Sequence, residues 1–521
     1  MKGKEVLHSA YKAAGTIAKD KVFWFCMIAA AAVLMIGTKS SFLYPLNDWV
    51  DSNCFYTMGK AMVHGKVLYR DLYEQKGPLL YMLHAIGYLI SPGSFTGVYL
   101  IESVCGGLFL YSAHRILKPY CGWASIAVLP ILGALVYSAP SLSYGDSAEE
   151  FCVPMYALCM MVSFLSLRED RPVSKWGCFL AGAMGACVLW IKYTMLGFFV
   201  GWFIVPALMV LFKGQRKKFF EMILWVLLGV FAASLPILLY FTVHGALGDL
   251  FKVYFYDNMT LYADVEINEA QTFMQKLRSI YDEAYNSTVR TFKRNVQYSR
   301  LTILGALWIL LFEKWKVKIH LLITFFFTCL TVYGGGRGYV YYGFILAAFS
   351  MFGFIPICGM CELTTILAKK CMPKVKLRAA VKKVAGWTCA AVIVMVSVFV
   401  TYRLSGNTYM FEYEKEDMPQ YQFAEIINQK EDATLLNYGF LDGGFYTTTG
   451  IVPNCRFFCY LNIPLSDVMD TQREFIREGK VDFVVTRSYK LNAKNYECIA
   501  KASMFFDTKV YDYYLHRLIE E

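Results

Sequence analysis

The sequence predicts a polytopic α-helical membrane protein with a small C-terminal α/β domain outside the membrane. Hydrophobic residues make up 57% of the 521 residues and charged residues only 17%, whereas soluble globular proteins carry about 25% charged residues. Eleven segments approach the about 20 apolar residues that a membrane-spanning helix needs. The chain becomes polar after the last of them, so we divide it into a membrane part (1–403) and a C-terminal domain (404–521).

The predicted spans are separated by short connections, apart from two long loops. Residues 79–90 are apolar but too short to cross, and they end at Ser91-Pro92-Gly93. We therefore expect a juxtamembrane or re-entrant helix there, within a first outer loop of residues 42–97. The spans are expected at about 22–41, 98–113, 121–138, 151–167, 176–191, 193–212, 219–243, 301–313, 319–334, 341–360 and 386–403.

The distribution of basic residues predicts the orientation. If the N-terminus is cytoplasmic and residues 79–90 do not span, every basic cluster between spans falls on the inner side, as the positive-inside rule requires. These clusters are Arg115/Lys118, Arg168/Arg171/Lys175, Lys213/Arg216/Lys217/Lys218, Lys314/Lys316/Lys318 and seven basic residues between 369 and 383. The net charge of +11 is thus explained by a multi-pass protein of the cell (plasma) membrane, without nucleic acid as a partner.

The C-terminal domain is expected on the outer side. Strand-like runs occur at 434–438, 482–486 and 510–515, and helix-like runs lie between them at 420–428 and 465–477. In the membrane part, a second long outer loop covers residues 244–300, and its residues 271–300 have the pattern of an amphipathic helix.

Two acids follow the first span in the motif NDWVDSN. Asp51 begins an amphipathic helical run, where a carboxylate could act as a general base toward an acceptor hydroxyl. The alternative is a helix-capping or helix-dipole role, which suits Asp48 better because it precedes the helical run.

A second acidic group, Asp146, Glu149 and Glu150, lies in SYGDSAEEF at the outer mouth of the fourth span. Acids beside a membrane segment are costly unless they serve a site or cap a helix. They could join Asp51 in a carboxylate pair and hold a divalent cation such as Mg²⁺ or Mn²⁺, although no motif requires a metal. Glu149 and Glu150 could alternatively occupy only the first turn of a helix.

Four cations on the outer face are candidates for binding an anionic substrate. Lys192 ends the fifth span against the positive-inside trend, although a lysine there could simply extend to the interface. Arg337 lies in GGGRGYVYY, where glycines allow close backbone approach and a guanidinium can bind phosphate in a bidentate manner. Arg70 and Lys76 belong to the first outer loop, and Arg70 could instead pair with Asp71 or Glu74.

Aromatic residues follow Arg337 directly. Tyr339, Tyr341 and Tyr342 could stack on a sugar or line the membrane interface. We therefore count Tyr339 and Tyr342 with the substrate-binding candidates.

The sixteen cysteines lie mostly in apolar spans, where they act as small hydrophobic residues. Cys358 and Cys361 form a lone CxxC without the further ligands that zinc needs. Cys54, Cys455, Cys459 and Cys498 are expected outside, where a disulfide could form among them, although the sequence cannot pair them.

Several of these segments resemble a known family. The run DSNCFYTMGKAMVHGKVLYRDLYEQKGPLLY resembles the first outer loop of bacterial GT-C glycosyltransferases, which are relatives of dolichyl-phosphate-mannose protein mannosyltransferases and of the aminoarabinose transferase that modifies lipid A. GDSAEEFCVPMYAL is similar to the acidic second outer loop of that group. GGGRGYVYYGF is similar to a later aromatic-basic loop, without the His-Tyr pair often seen there, and LLNYGFLDGGFYTTTGIVPN resembles the extracytoplasmic domain of one bacterial branch.

The resemblance implies an inverting transfer of a hexosyl or pentosyl group from a polyprenyl-phosphate donor to a glycan, lipid or protein acceptor at the cell surface. The family's first-loop base corresponds to Asp51. The usual Asp-Glu pair is Asp51-Ser52 here, so a second carboxylate must come from Asp48 or from the 146–150 loop, and metal dependence stays open.

Two other functions compete with this one. A transporter or flippase of lipid-linked glycans would more often show charges within spans, discontinuous helices and internal repeats. A non-catalytic role in surface-polymer assembly leaves the polar first loop unexplained.

Overall fold

A computed structural model describes residues 19–262, 272–371, 379–506 and 509–519. The helices of its membrane part are α1 (Lys21–Gly37), α2 (Val50–Val63), α3 (Pro78–Ile90), α4 (Thr96–Leu117), α5 (Ala124–Ala127), α6 (Leu129–Tyr137), α7 (Ala148–Arg168), α8 (Lys175–Lys192), α9 (Gly197–Phe212), α10 (Arg216–Val243), α11 (Leu247–Asp249), α12 (Phe273–Arg294), α13 (Val296–Phe312), α14 (Trp315–Tyr333), α15 (Ile355–Cys371) and α16 (Ala379–Leu404). A π-helix covers Leu250–Tyr262, and 3₁₀ helices cover Pro140–Leu142, Tyr193–Met195 and Val340–Phe354.

Each of the eleven predicted spans coincides with helical structure. In the described part of the chain, seven helices are long and apolar enough to cross a membrane, and four of the predicted spans fall on shorter apolar helices. The count of eleven therefore remains a prediction, while the helical membrane architecture is confirmed. Helix α3 has 13 residues, in keeping with a segment too short to cross.

Two predicted inner loops meet at one end of the bundle. Lys314 and Lys316 both contact the carboxylate of Asp170, the latter at 2.8 Å. Arg168 lies 3.7 Å from Glu313. The connections after α7 and α13 therefore lie together, as the charge pattern predicts.

The first outer loop contains a packed helical pair, α2 and α3. A Cβ atom at Gly59 of α2 would lie 2.5 Å from the backbone nitrogen of Ala85 in α3, so glycine permits the close approach of the two backbones. Pro78 occupies the first turn of α3, where its missing N–H costs no hydrogen bond.

The C-terminal domain is built around a four-stranded sheet. Its strands are β1 (Leu435–Asn437), β2 (Phe483–Arg487), β3 (Tyr496–Phe506) and β4 (Lys509–Leu518), and its longer helices are α17 (Pro419–Ile427), α18 (Phe445–Thr449) and α19 (Asp467–Arg477). The strand order is β1-β2-β4-β3, with β1 parallel to β2 and the other pairs antiparallel. The three predicted strands and both predicted helices are present, whereas β3 was not predicted.

Helix α2 also contacts the C-terminal domain along one face. Thr447 donates a 2.8 Å hydrogen bond to the Asn53 side chain, and Thr57 donates a 2.7 Å bond to Asp442. Buried Lys60 donates to the carbonyls of Tyr446 and Ile451 at 2.5 and 2.6 Å. Because these contacts recur along α2, the domain is fixed against the first outer loop.

Candidate functional site

Residues from four separate segments line one cleft. The segments are the stretch just before α3, the end of α8 with the 3₁₀ helix after it, the π-helix, and the stretch from the end of α14 to the start of the Val340–Phe354 3₁₀ helix. The lining residues are Gln75, Lys76, Ile191, Lys192, Tyr193, Thr194, Tyr254, Asn258, Val332, Gly335, Arg337 and Tyr342. Three of the four predicted cations thus meet in the cleft, together with one predicted tyrosine.

Gly77 fixes the position of Lys76 against α8. Its N–H donates a 3.1 Å hydrogen bond to the Ile191 carbonyl. A Cβ atom at Gly77 would lie 2.1 Å from the carbonyl oxygen of Trp190, so any side chain there would push the loop away. The backbone contact therefore brings Lys76 beside the end of the helix that carries Lys192.

Lys192 is the last residue of α8. Its ammonium lies 2.5 Å from Oε1 of Glu149 and 3.2 Å from the centre of the Tyr342 ring. A cation over an aromatic face is attracted by the ring quadrupole. Glu149, which was predicted to bind substrate, therefore contacts Lys192 and fixes the position of its ammonium group.

Arg337 connects the cleft to the C-terminal domain. It lies in the connection between α14 and the Val340–Phe354 3₁₀ helix, and its guanidinium donates a 3.5 Å hydrogen bond to the Asn462 carbonyl. The C-terminal domain is therefore in contact with the cleft.

Asp51 lies in the first turn of α2 beside this cleft. One carboxylate oxygen is 3.9 Å from the ammonium of Lys76 and accepts a 3.3 Å hydrogen bond from the Tyr341 hydroxyl. The side chain of Asp51 remains 18% exposed. Part of the carboxylate is therefore open to solvent, next to a lysine that lines the cleft.

Asp48 has different surroundings. It forms a fully buried ion pair with Lys39 at 2.7 Å, and Tyr409 of the C-terminal domain donates to its second oxygen at 3.4 Å. The Lys39 ammonium also lies 4.5 Å from the centres of the Tyr144 and Tyr409 rings. The carboxylate of Asp48 is therefore bound by two other side chains of the protein, Lys39 and Tyr409. Its catalytic role stays a prediction.

Asp146 and Glu150 belong to a buried acidic cluster, which we define as Asp146, Glu150, Glu102 and His84. A 2.8 Å hydrogen bond joins Oδ1 of Asp146 to Nε2 of the His84 ring, and the backbone N–H of Asp146 donates to both glutamates at 2.8 and 2.9 Å. All four residues are at most 1% exposed. Burial raises the pKa of Asp146 above its usual range, although the contact with His84 lowers it.

The sequence argument did not single out Glu102. It lies in the middle of α4, within the predicted span 98–113. An acid inside an apolar span requires a partner or a function. The position of Glu102 within the span could therefore have identified it as a candidate site residue.

Arg70 and Tyr339 lie outside the residues that line the cleft. Arg70 is 2.9 Å from Asp71 and donates to the His244 carbonyl, which is the pairing alternative considered from the sequence. Tyr339 is 39% exposed and stacks on the Tyr341 ring at 5.7 Å.

The described residues contain no group of three or more His, Cys, Asp or Glu side chains arranged to hold a metal ion. Metal dependence, which the sequence left open, therefore stays open.

No protein-family model matches the chain, and no curated protein matches its sequence. Among solved structures, ArnT from Cupriavidus metallidurans bound to undecaprenyl phosphate matches with a TM-score of 0.58 and 10% identity, over 94% of this chain and 97% of that one. The apo form of the same protein gives a TM-score of 0.47 at 11% identity, over 88% and 92%. The chain therefore has the fold of ArnT.

Proposed function

We propose that this protein is a membrane glycosyltransferase that moves a sugar from a polyprenyl-phosphate donor to an acceptor at the outer membrane face. One observation carries this proposal: Lys76, Lys192 and Arg337 line a single cleft, and Asp51 lies 3.9 Å from Lys76. The fold supports the donor class, because the ArnT structure with this fold holds undecaprenyl phosphate. An outer-face enzyme has no access to cytosolic nucleotide sugars, which also favours a lipid-linked donor.

In this proposal Asp51 is the general base. Its carboxylate takes the proton of an acceptor hydroxyl while the acceptor oxygen forms a bond to the anomeric carbon. The bond between that carbon and the phosphate oxygen breaks, and polyprenyl phosphate leaves with the bonding electrons. Attack from the face opposite the phosphate inverts the anomeric configuration.

The three cations would stabilise the negative charge on the departing phosphate. Fixed charges aimed at a developing anion lower the barrier because they need no reorganisation during the reaction. Lys192 is held by Glu149 and Tyr342, and Lys76 is placed by the backbone contact of Gly77. Arg337 adds a fork that can bind two phosphate oxygens.

We propose that the C-terminal domain orients the acceptor or covers the cleft. Its contact with Arg337 through Asn462 supports this position. Deleting the domain should reduce transfer to the acceptor more than hydrolysis of the donor by water. Unchanged acceptor use after deletion would contradict this division of roles.

The experiment for the proposed function is a transfer assay in proteoliposomes with labelled polyprenyl-phosphate sugars, run beside a flux assay for the same lipid. A glycosyltransferase consumes the donor and releases polyprenyl phosphate, whereas a flippase moves intact donor across the bilayer. Loss of transfer in Asp51→Asn with unchanged donor binding would support the enzyme. Flux without bond cleavage in the wild type would overturn the proposal.

The same assay tests metal dependence. If a divalent cation takes part, a chelator should abolish transfer and Mg²⁺ or Mn²⁺ should restore it. Full activity in chelator would exclude that requirement.

A further inference from the structure

Cys54 and Cys459 lie side by side although 405 positions separate them in the sequence. Their sulfur atoms are 3.7 Å apart, and the residues are 2% and 1% exposed. Cys54 is on α2, and Cys459 belongs to the C-terminal domain between α18 and α19. A disulfide requires sulfur atoms about 2.0 Å apart, so the two sulfurs, recorded here as thiols, must approach further for the bond to form.

The neighbouring contacts hold this pair in register. Asn53, Thr57 and Lys60 of α2 each form a hydrogen bond with the C-terminal domain. Cys54 lies between the first two of these residues in the sequence. The approach of the two sulfurs is therefore part of a specific interface.

We propose that Cys54 and Cys459 form a disulfide that covalently joins the Asp51 helix to the C-terminal domain. The proposal rests on the outer-face placement of both segments, because disulfides persist in oxidising compartments and not in the cytosol. The oxidant is an extracytoplasmic thiol–disulfide oxidoreductase in its disulfide form. One cysteine thiolate attacks that disulfide, and the second thiolate then displaces the oxidoreductase, which leaves with two thiols.

The burial of the pair determines when the bond forms. Desolvation raises the pKa of both thiols above their usual range, so the thiolate that attacks a disulfide is disfavoured once the interface is closed. The exchange must then occur before the C-terminal domain has docked completely. Afterwards the same burial shelters the bond from reductants.

The bond would act close to the candidate site. Cys54 follows Asp51 by three residues, which is about one helical turn. The C-terminal domain also contacts Arg337. One covalent link would thus limit how far Asp51, the proposed base, can move from Arg337.

Peptide mapping of the full-length protein tests the pair directly. Cells are lysed directly into denaturant containing N-ethylmaleimide, so that buried free thiols are blocked as well, and the protein is digested without reduction. We expect a cross-linked peptide pair containing Cys54 and Cys459, lighter by two hydrogen atoms than the separate peptides. Exposed Cys498 on β3 is the control, and it should carry the maleimide.

Thermal unfolding gives a second readout. Reductant should lower the melting temperature of the wild type by several degrees and leave that of Cys54→Ala or Cys459→Ala unchanged. If these variants fail to fold, the mapping of the wild type still decides.

Maleimide on both Cys54 and Cys459 in the unreduced protein would overturn the proposal. A membrane-impermeant maleimide applied to intact cells separates the two reasons for such a result. Labelling of Cys498 would then show that the outer placement holds and only the disulfide fails. Absence of labelling at Cys498 would remove the outer placement as well.

Discussion

The carboxylate of Asp51 beside the cleft and the carboxylates of the buried acidic cluster both follow or enter predicted spans, but they differ in exposure and in their charged neighbours. Asp51 is 18% exposed beside Lys76, and three cations line the space next to it. Asp146, Glu150 and Glu102 are at most 1% exposed and are bonded to one another or to His84. Position near the end of a span is therefore common to both groups of acids, while solvent exposure and a cationic neighbour separate Asp51 from the buried cluster.

The same contrast occurs within four residues of the first outer loop, Asp48 to Asp51. Asp48 is buried against Lys39, whereas Asp51 is 18% exposed and lies 3.9 Å from Lys76, which lines the cleft. Substitutions at these positions should separate loss of chemistry from loss of stability.

The largest effect is expected for Asp51→Asn, which should lower the transfer rate by about 10²–10⁴-fold because a general base is removed. Folding should be preserved, since the amide has nearly the shape of the carboxylate. Turnover with a lipid-linked sugar and the melting temperature measure the two effects. Near-normal turnover in Asp51→Asn, together with inactive but folded Asp48→Asn, would place the base three residues earlier.

Asp48→Asn should instead destabilise the protein by about 3–5 kcal/mol, because it leaves the buried ammonium of Lys39 without its partner. Thermal unfolding in detergent measures this loss. Replacing both residues, as in Lys39→Met with Asp48→Leu, is the matched control and should recover much of the stability. An Asp48→Asn protein as stable as the wild type would contradict the role of this ion pair.

Asp442 extends the comparison to the interface of the C-terminal domain. Burial raises its pKa to about 6 from an ordinary value of 3.8, so the folded state binds the proton more tightly than the unfolded state. The contribution of Asp442 to stability should therefore fall as pH rises from about 4 to about 6, by at most about 3 kcal/mol. The free energy of unfolding, measured across this pH window, should decrease less in Asp442→Asn than in the wild type. An identical pH dependence in both proteins would contradict the raised pKa of Asp442.

Arg337→Lys should weaken donor binding about tenfold, because an ammonium cannot reproduce the bidentate guanidinium fork. Lys192→Ala should weaken it by a similar factor through the loss of one cation. Binding of labelled polyprenyl phosphate measures both. Equal affinity in wild type, Arg337→Ala and Lys192→Ala would remove both residues from the site.

The smallest effect is expected for Arg70→Ala, which serves as the control for the cleft cations. Arg70 pairs with Asp71 outside the cleft, and exposed ion pairs contribute about 0–1 kcal/mol. Donor affinity should stay within about twofold of the wild type. A tenfold loss would show that the donor site extends beyond the cleft described above.

The sequence predicted the helices and singled out three cations that the structure brings to one cleft, because both depend on local signals. Long apolar runs specify helices, and cations at outer span ends are unusual enough to be noticed, as with Lys192. Strand β3 escaped prediction because it is an edge strand that pairs with β4 alone, and several of its residues, including Glu497 and Lys501, are exposed. Its pattern therefore lacks the regular alternation of a half-buried strand.

Local sequence patterns could not predict the contacts between distant segments. Nothing in the sequence indicates that Asp48 pairs with Lys39 while Asp51 meets Lys76 and Tyr341, since packing decides which neighbour each carboxylate finds. The partners of His84 and Glu102 likewise depend on how α3 and α4 pack around the 146–150 loop.

Helix α2 has a consequence for engineering, because it is enclosed on two sides. Gly59 packs against α3, while Asn53, Thr57 and Lys60 bind the C-terminal domain. A chimera that exchanges only the C-terminal domain would leave those polar groups facing an unmatched surface, and a buried lysine without its carbonyl acceptors is strongly unfavourable. Grafting the domain together with residues 50–63 would keep the interface whole, so the module that can be transplanted is discontinuous in sequence.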